Sequence, residues 1–318
     1  MLIFTGCSAA PAAPGVDEAV AAGVQYYANH SDTWEEALAA AAAGVPVTSE
    51  DCEALIVISD QAIPTGTLAG YVCLLTAAGI DAKLFAGANL ADMLAARQQD
   101  GSFGFLYETV LSALSLEGAG VSYDADGLLR HLIASQRADG SFEDMSTTGL
   151  ALSLLSTIDD ERAKTMADRA AAYLRQAEIE DAALPYAVIG LSDTGGKTDE
   201  LVARLTPLQG EDGSFSDPMA LVALDAVKEG GSVFVRHATD TAMVLVTISH
   251  GGDTVITGRI EADAEADALT LTKRFCAKQG IDIVVVEGQV RQIGQYSGSW
   301  KLAEGASTAA GGSITWIS

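Results

Sequence analysis

The sequence QDGSF at Gln99–Phe103 returns twice along the chain, as QRADGSF at Gln136–Phe142 and as QGEDGSF at Gln209–Phe215. The glycines of the first two copies are 39 residues apart (101 to 140), and those of the last two are 73 apart (140 to 213). Because the second gap is nearly twice the first, a degenerate copy is expected midway, and Tyr173–Gln176 ends a helical pattern there without the glycine. A period of roughly 35–40 residues is typical of repeats built from two helices.

Each copy lies between two segments with helical periodicity. Before the first copy, Leu90, Met93, Leu94 and Arg97 share one face of a predicted helix. Gly101 then supplies the left-handed residue that commonly ends a helix. The segment 106–117 after the copy is apolar nearly all round, which indicates a helix that is buried on every side. Each repeat therefore pairs an amphipathic outer helix with a more apolar inner one, and such pairs must stack to bury their faces.

About twelve helical segments, in six pairs, are predicted between Val16 and Lys228. Six inner helices surrounded by six outer helices would close into a barrel, and closure would bury both ends of the repeat series without special capping repeats. We therefore predict an α6/α6 barrel, or toroid, over residues 16–230.

The character of the chain changes after the glycine-rich segment Glu229–Ser232. β-Branched residues favour a strand at 243–248, a His-Gly-Gly-Asp turn follows, and the returning strand is predicted at 254–260. The remaining predicted elements are a helix at 265–279 and strands at 281–286, 289–293, 299–302 and 313–317. The sequence thus predicts a linker at 231–240 and a small mixed β-sheet domain with one helix at 241–318.

A glutamine, a glycine and an aromatic residue at this spacing after a helix resemble the repeat of terpene cyclases, protein prenyltransferases and the cobalamin carriers of the transcobalamin and intrinsic-factor type. Thr33–Leu38, running to Gly44, is similar to the opening of that family. The tail carries RQIG at Arg291–Gly294, SGSW at Ser297–Trp300 and GSITW at Gly312–Trp316, which resemble the C-terminal β domain of the carriers and their bacterial relatives. The domain order is most similar to that of the cobalamin carriers.

In the carriers that the chain resembles, the corrinoid lies between the barrel and the β domain. The resemblance therefore implies a ligand site formed by the starts of the inner helices on one side and by the β domain on the other. The candidate ligand-binding residues are Tyr107, Thr109, Thr147, Thr148, Tyr186 and Asp217 in the barrel and Gln295, Tyr296 and Trp300 in the β domain. Thr147 also suits a helix cap, and Trp300 also suits the domain core.

The implied ligand is amphipathic, with cobalamin or another corrinoid as the candidate, and no cofactor or metal is required. The chain has 18 basic and 43 acidic residues and a net charge of −25, which disfavours nucleic acids and anionic membrane surfaces as partners. Phe4–Cys7 resembles the processing box of a bacterial lipoprotein, so Cys7 is the candidate lipidation site within a signal remnant and tether at 1–15. We expect an extracytoplasmic protein, lipid-anchored or secreted, with a membrane uptake partner and no other membrane contact.

The sequence lacks the catalytic motifs of the enzymes in this family. The nearest approach to the Asp-x-Asp-Asp motif of cyclases is Asp124–Gly127, at a predicted helix start where carboxylates stabilise the helix. Cys52, Cys73 and Cys276 show no metal-ligand spacing, and the positions of Cys52 and Cys73 fit either a disulfide or two buried thiols. Three functions stay open: a non-catalytic ligand-binding protein, a surface scaffold for a protein or glycan, and a cyclase-like or prenyltransferase-like enzyme with unrecognised acids.

Overall fold

A computed structural model describes residues 15–58, 63–238, 243–251, 253–261, 266–278, 281–286, 288–303, 306, 308 and 313–318. Cys7 and the rest of the predicted tether before residue 15 lie outside the described residues. The described chain is mixed α and β, and helices predominate.

The described helices of residues 16–238 precede all of the described strands. Fourteen α-helices lie in the described chain: α1 (Val16–Tyr27), α2 (Trp34–Ala42), α3 (Ser49–Leu55), α4 (Thr65–Ala77), α5 (Leu90–Ala95), α6 (Leu106–Ala119), α7 (Ala125–Ser135), α8 (Met145–Thr157), α9 (Glu161–Gln176), α10 (Leu184–Asp193), α11 (Asp199–Leu205), α12 (Met219–Glu229), α13 (Val233–Ala238) and α14 (Ala268–Lys278). The seven described strands are β1 (Met243–His250), β2 (Asp253–Glu261), β3 (Ile283–Val286), β4 (Gln289–Ile293), β5 (Tyr296–Ser297), β6 (Lys301–Leu302) and β7 (Ser313–Ile317).

Six helices, α2, α4, α6, α8, α10 and α12, are named the core helices here because most of their residues are buried. α2 packs against α4, α4 against α6, α6 against α8, α8 against α10, α10 against α12, and α12 against α2. In α4 every residue from Leu68 to Thr76 is buried, since the helix has no charged side chain that needs solvent. In α9, by contrast, Ala163, Met166 and Ala170 recur on one buried face, as in a helix at the periphery.

The glycine of the repeated motif lets each peripheral helix approach the next one closely. Gly101, Gly140 and Gly213 have left-handed φ angles of 83°, 95° and 92°. A Cβ atom on these glycines would overlap the backbone of α7, α9 and α1, respectively. Glycine therefore meets both the left-handed conformation and the close approach at all three positions. The last copy contacts α1, so the two ends of the repeat series meet.

The glutamine of the motif bridges the same pairs of helices. Nε2 of Gln136 donates hydrogen bonds to the carbonyl oxygens of Gly140 (3.0 Å) and of Met166 in α9 (2.9 Å). Nε2 of Gln209 makes the equivalent bonds at 3.0 and 2.8 Å, and the second of them reaches α1. Each glutamine thus joins its own turn to the following peripheral helix.

The first copy departs from the predicted alignment. Gln98, rather than Gln99, binds the next peripheral helix: its Oε1 accepts from the backbone nitrogen of Asp124 (2.7 Å), and its Nε2 donates to the carbonyl oxygen of Asp124 (3.0 Å). Gln99 instead pairs through its backbone with Ser102. Gln98 lies three residues before Gly101, whereas Gln136 and Gln209 lie four residues before their glycines. The bridging glutamine of the first copy is therefore Gln98, the residue before Gln99.

We expect Gln209→Ala to lower the free energy of unfolding by about 2 kcal/mol, because two half-buried hydrogen bonds are lost. Gln176→Ala is the matched control, since Gln176 stands in the degenerate copy, is exposed, and its side chain makes no hydrogen bond within the described chain. Urea unfolding followed by circular dichroism compares the two variants. Equal losses in both would contradict a bridging role for Gln209.

The segment 231–240, predicted as a linker, begins with a helix that packs on the core helices. α13 contacts α4, α6 and α8, and its residues Val233 and Phe234 lie in the same hydrophobic core. Asp193, the last residue of α10, accepts hydrogen bonds from the backbone nitrogen (2.5 Å) and hydroxyl (2.7 Å) of Ser232. The helical unit therefore extends through α13, which covers the C-terminal ends of these core helices.

The C-terminal residues form two small sheets rather than the single predicted sheet. β1 lies between β2, which is antiparallel to it, and β7, which is parallel, and β6 pairs antiparallel with β7. β3, β4 and β5 form a separate antiparallel sheet. A second hydrophobic core gathers Val244, Phe275 and Trp316, and Nε1 of Trp316 donates to Oγ1 of Thr272 in α14 (2.8 Å).

Candidate functional site

Four side chains with polar groups meet at the N-terminal ends of core helices. Glu35 is the second residue of α2, Tyr107 the second of α6, Tyr186 the third of α10, and Asp217 lies two residues before α12. The pKa of Tyr186 is raised by burial and by its neighbours Tyr107 and Asp217, and that of Glu35 is raised by burial and in part by the charge of Asp217, so these side chains lie near one another. These four residues are named the mouth cluster, and each is half-buried. Three of them were predicted ligand residues, and Glu35 was not.

Interactions at the first turns of the helices hold residues of the mouth cluster in position. Oδ1 of Asp217 accepts a hydrogen bond from the backbone nitrogen of Met219 (2.9 Å), which holds the carboxylate at the beginning of α12. Pro185 in the first turn of α10 has a backbone angle suited to helix initiation and places Tyr186 directly after it.

An indole ring precedes Glu35 in the chain. Trp34 is the first residue of α2, and its ring lies against Gly70 of α4, where an added Cβ would be 2.7 Å from Cε2 of the indole. A larger residue at Gly70 would displace this ring. The half-buried Trp34 gives the same end of the helices an aromatic surface beside its carboxylates and phenols.

Burial raises the pKa of both carboxyl groups in the mouth cluster. For Asp217, removal from water raises the pKa, and hydrogen bonds offset part of this effect. For Glu35, burial is the main cause, and the negative charges of Glu36 and Asp217 raise its pKa further. Burial also raises the pKa of Tyr107 and of Tyr186, so both phenols are protonated at neutral pH. The cluster therefore combines two carboxyl groups whose pKa is raised with two protonated phenol groups.

We expect Asp217→Asn to raise the thermal unfolding midpoint at pH 7 and to have a smaller effect at pH 4. The native pKa of Asp217 lies above its unfolded value, so ionisation destabilises the native state. That penalty is absent below the ordinary carboxyl pKa of about 4 and grows as the pH rises through the window up to the native pKa. In Asp217→Asn the side-chain oxygen can still accept the hydrogen bond from the backbone nitrogen of Met219, while the negative charge of the carboxylate is removed.

The control for this prediction is Asp159→Asn, because Asp159 is an exposed acid that pairs with Lys164 far from the mouth cluster in sequence. Both variants change the net charge equally. Differential scanning calorimetry at the two pH values compares them with the wild type. A gain in the midpoint of Asp217→Asn that is the same at both pH values would contradict the argument.

Two predicted ligand residues are structural parts of the repeated motif. Thr109 and Thr148 are fully buried, and their Oγ1 atoms accept hydrogen bonds from the backbone nitrogens of Phe103 and Phe142, at 3.0 Å in both cases. This bond ties the buried phenylalanine of the motif to the core helix that follows. The hydroxyl groups of Thr109 and Thr148 therefore do not face solvent.

Thr147 neither caps α8 nor reaches the surface. The cap is Asp144, whose Oδ1 accepts from the backbone nitrogen of Thr147 (2.7 Å). The side chain of Thr147 is fully buried, and its hydroxyl has no hydrogen-bond partner among the described residues. It does not join the mouth cluster through any hydrogen bond in the described chain.

The predicted residues of the C-terminal unit form an aromatic cluster of their own. Gln295 is exposed and donates through Nε2 to the hydroxyl of the half-buried Tyr296 (3.2 Å). Trp300 is buried in the domain core, and its Nε1 has no partner in the described chain. The ring of His250, which was not predicted, lies 5.1 Å from that of Tyr296 and 5.9 Å from that of Trp300. Nδ1 of His250 also contacts the hydroxyl of Ser318 (2.6 Å).

The described cysteines are buried free thiols, so Cys52 and Cys73 do not form the disulfide that was one alternative. Burial raises the pKa of Cys52 and of Cys73 to about 12. Both thiols are therefore protonated at neutral pH and suit packing rather than nucleophilic chemistry. Within the described residues, no group of histidine, cysteine and acidic side chains is arranged to hold a metal ion.

No helix in the described part of the chain combines the length and the apolar character that a membrane span needs. No family model matches the sequence, and no curated protein is significantly similar to it.

Proposed function

We propose that the core helices close into an α/α barrel with the peripheral helices around it. Each core helix packs against the next, and α12 packs against α2, which supports closure. The turn at Gly213 contacts α1 in the way that earlier copies contact the next peripheral helix, which supports a continuous outer layer. In this arrangement the mouth cluster lies at one end of the barrel, and α13 covers the other.

The function we infer for this arrangement is non-catalytic binding of an amphipathic small molecule at the mouth cluster. The observation that carries the proposal is the convergence of Glu35, Tyr107, Tyr186 and Asp217, from four different helices, at one half-exposed position. Carboxylates and phenol oxygens accept hydrogen bonds from amide and hydroxyl groups of a ligand, and aromatic rings contact its apolar surface. A few convergent polar groups in an aromatic setting are typical of ligand sites.

A corrinoid is the specific ligand we propose, because its peripheral amides would donate to the carboxylates of the mouth cluster while its apolar edges would meet the aromatic rings. This step rests on the resemblance to cobalamin carriers. In such a complex the C-terminal unit would cover the ligand through Gln295 and Tyr296, because Trp300 is buried in its own core. The proposal includes the expected extracytoplasmic location, an anchor at Cys7 and a membrane uptake partner.

Binding is favoured over cyclase chemistry by the exposure of the acids. A cyclase must protect reactive carbocations from water, which requires an enclosed cavity lined by aromatic rings. Glu35 and Asp217 are half-exposed at helix starts, and the void lined by Cys73, Leu114 and Phe234 beneath α13 measures only about 10 Å³. A space of that size does not hold a substrate.

The test is absorption spectroscopy after incubation with cobalamin or with cobinamide, followed by desalting. We expect the wild type to retain a corrinoid spectrum at a near-equimolar ratio. The double variant Asp217→Asn/Tyr186→Phe should bind at least about tenfold more weakly, because two hydrogen-bonding groups of the mouth cluster are altered. The control variant Asp159→Asn/Tyr173→Phe makes the same changes on exposed or peripheral positions.

Retention of neither compound would overturn the corrinoid proposal and favour the scaffold function. Retention that is equal in the wild type and in the mouth variant would show that the corrinoid binds elsewhere. Circular dichroism of each variant confirms that the comparison is made between folded proteins.

A further inference from the structure

We propose that the cavity between α9, the end of α10 and α11 is a second binding site, which takes a small organic anion with an apolar body. The cavity has a volume of about 730 Å³, within the range of roughly 300–1,000 Å³ that is typical of small-molecule sites. Leu174 and Leu191, both buried, form part of its wall. No residue of the mouth cluster lines it, so this inference is independent of the function proposed above.

Two cations without partners face this cavity. Arg175 and Lys197 both line the cavity and are exposed. The side chain of neither residue makes an ion pair or a hydrogen bond within the described chain. In a protein with 18 basic and 43 acidic residues, acidic side chains are abundant, and several cations of the described chain pair with them. Arg162, for example, pairs with both Asp160 and Asp126. Two unpaired positive charges on one cavity wall therefore supply a local preference for an anion.

Gly196 allows the guanidinium of Arg175 to lie against the backbone of the loop that follows α10. A Cβ at Gly196 would be 3.3 Å from Nη2 of Arg175 and 3.0 Å from the carbonyl oxygen of Leu191. Both contacts are tight, so a side chain at Gly196 would push the guanidinium away. The loop thus keeps the guanidinium of Arg175 at the wall of the cavity that Lys197 also lines.

The acidic residues of the same wall define the charge of the ligand. Asp199 and Glu200 also line the cavity, and Arg204 is already engaged by Asp181 (3.0 Å) and by the carbonyl oxygen of Ile179 (2.6 Å). Repulsion from two carboxylates disfavours a polyanion, whereas a single carboxylate or sulfonate needs only the two unpaired cations. The apolar wall then accommodates the body of the ligand. The site suits an amphipathic monoanion.

The probe is 2-naphthoate, and its uncharged isostere 2-naphthamide is the matched control. Each is titrated into ¹⁵N-labelled full-length protein, and the backbone amide signals of Gly195 and Gly196 are followed by NMR. We expect saturable shifts of both glycine signals with 2-naphthoate and at least about tenfold weaker binding of 2-naphthamide, since the charge-assisted bonds are lost. Naphthalene-2-sulfonate should behave like the carboxylate.

Two variants test the residues. Lys197→Gln and Arg175→Gln/Lys197→Gln should weaken 2-naphthoate binding progressively, with a loss of about tenfold in the double variant. Lys228→Gln removes a cation that pairs with Glu229 away from this cavity, and it should leave the affinity unchanged. Lys197 is exposed, and its side chain makes no hydrogen bond or ion pair within the described chain, so we expect its replacement to leave the fold intact.

Equal affinities for 2-naphthoate and 2-naphthamide would overturn the proposal, because the cavity would then select apolar bodies alone. Glycine shifts that persist unchanged in the double variant would overturn the assignment of the two cations. Shifts confined to the signals of Tyr107 and Tyr186 would place the anion at the mouth cluster instead. Asp217→Asn separates the two proposals, since it should leave 2-naphthoate binding unaltered.

Discussion

Gly149→Ala should lower the free energy of unfolding by about 3 kcal/mol, because it forces apart two core helices whose backbones touch. A Cβ at Gly149 of α8 would overlap the carbonyl group of Tyr186 in α10 and would lie 2.9 Å from the backbone nitrogen of Ala187. The contact is reciprocal, since a Cβ at Gly190 of α10 would overlap the carbonyl oxygen of Gly149. A backbone atom cannot swing aside as a flexible side chain does, so the helices themselves must separate.

The same variant should disturb the mouth cluster, because the displaced backbone is that of Tyr186 itself. Gly231→Ala is the control: its Cβ would have only an ordinary contact of 3.8 Å with Asp193, and Gly231 has no left-handed φ. Urea unfolding followed by circular dichroism gives the stability of both variants. A loss below about 1 kcal/mol in Gly149→Ala would contradict the close helix contact.

The helical repeat was predictable because its signals are local. A glutamine, a left-handed glycine and a buried phenylalanine recur in one short stretch, and the structure gives each a physical role at a junction between helices. The sequence string alone could not tell which of the adjacent glutamines, Gln98 or Gln99, binds the next helix. The proposed closure of the barrel rests on contacts between α12 and α2, which no local pattern encodes.

The segment after Gly230 was harder to predict. Gly230 and Gly231 are typical of a break between domains, and the helix α13 that follows them is short. Its position is determined by Asp193, which lies far earlier in the chain and accepts hydrogen bonds from Ser232. In the tail, the parallel pairing of β1 with β7 joins residues at opposite ends of the segment, so alternation could predict the strands but not their division into two sheets.

Part of the candidate site could be predicted once the resemblance implied a site at the starts of the inner helices. Tyr107, Tyr186 and Asp217 were chosen on that ground, and their side chains lie near one another in the structure. The same rule includes Glu35 in the first turn of α2, which was overlooked. Thr109 was chosen for its hydroxyl group, but that hydroxyl accepts a hydrogen bond from the backbone nitrogen of Phe103, six residues earlier in the repeated motif.

Arg236→Met should lower the free energy of unfolding by about 3 kcal/mol at neutral pH, because it leaves a buried carboxylate without its counter-charge. Nη2 of Arg236 in α13 lies 2.5 Å from Oδ2 of Asp225 in α12, whose side chain is only 4% exposed. Nη2 also reaches the carbonyl oxygen of Ala42 at the end of α2 (3.3 Å). This ion pair therefore fastens α13 over the ends of two core helices.

The dependence of this loss on pH identifies its cause. Burial raises the pKa of Asp225, and Arg236 offsets part of that rise, so removing the arginine raises the native pKa further. The penalty for a lone charge exists only where the unfolded chain is ionised, above a pH of about 4, and grows as the pH rises toward the native pKa. We expect the stability deficit of Arg236→Met, measured by urea unfolding, to shrink as the pH is lowered from 7 to 4.

The double variant Asp225→Asn/Arg236→Met distinguishes the cost of an unpaired charge from the loss of packing by the arginine side chain. If the cost is the unpaired charge, replacing the carboxylate by its neutral isostere should restore most of the stability at pH 7 and remove the pH dependence of the deficit. If instead the arginine acts through the packing of its stem, the double variant should remain as unstable as Arg236→Met at every pH. The second result would mean that α13 is held by the burial of Val233 and Phe234 rather than by the ion pair.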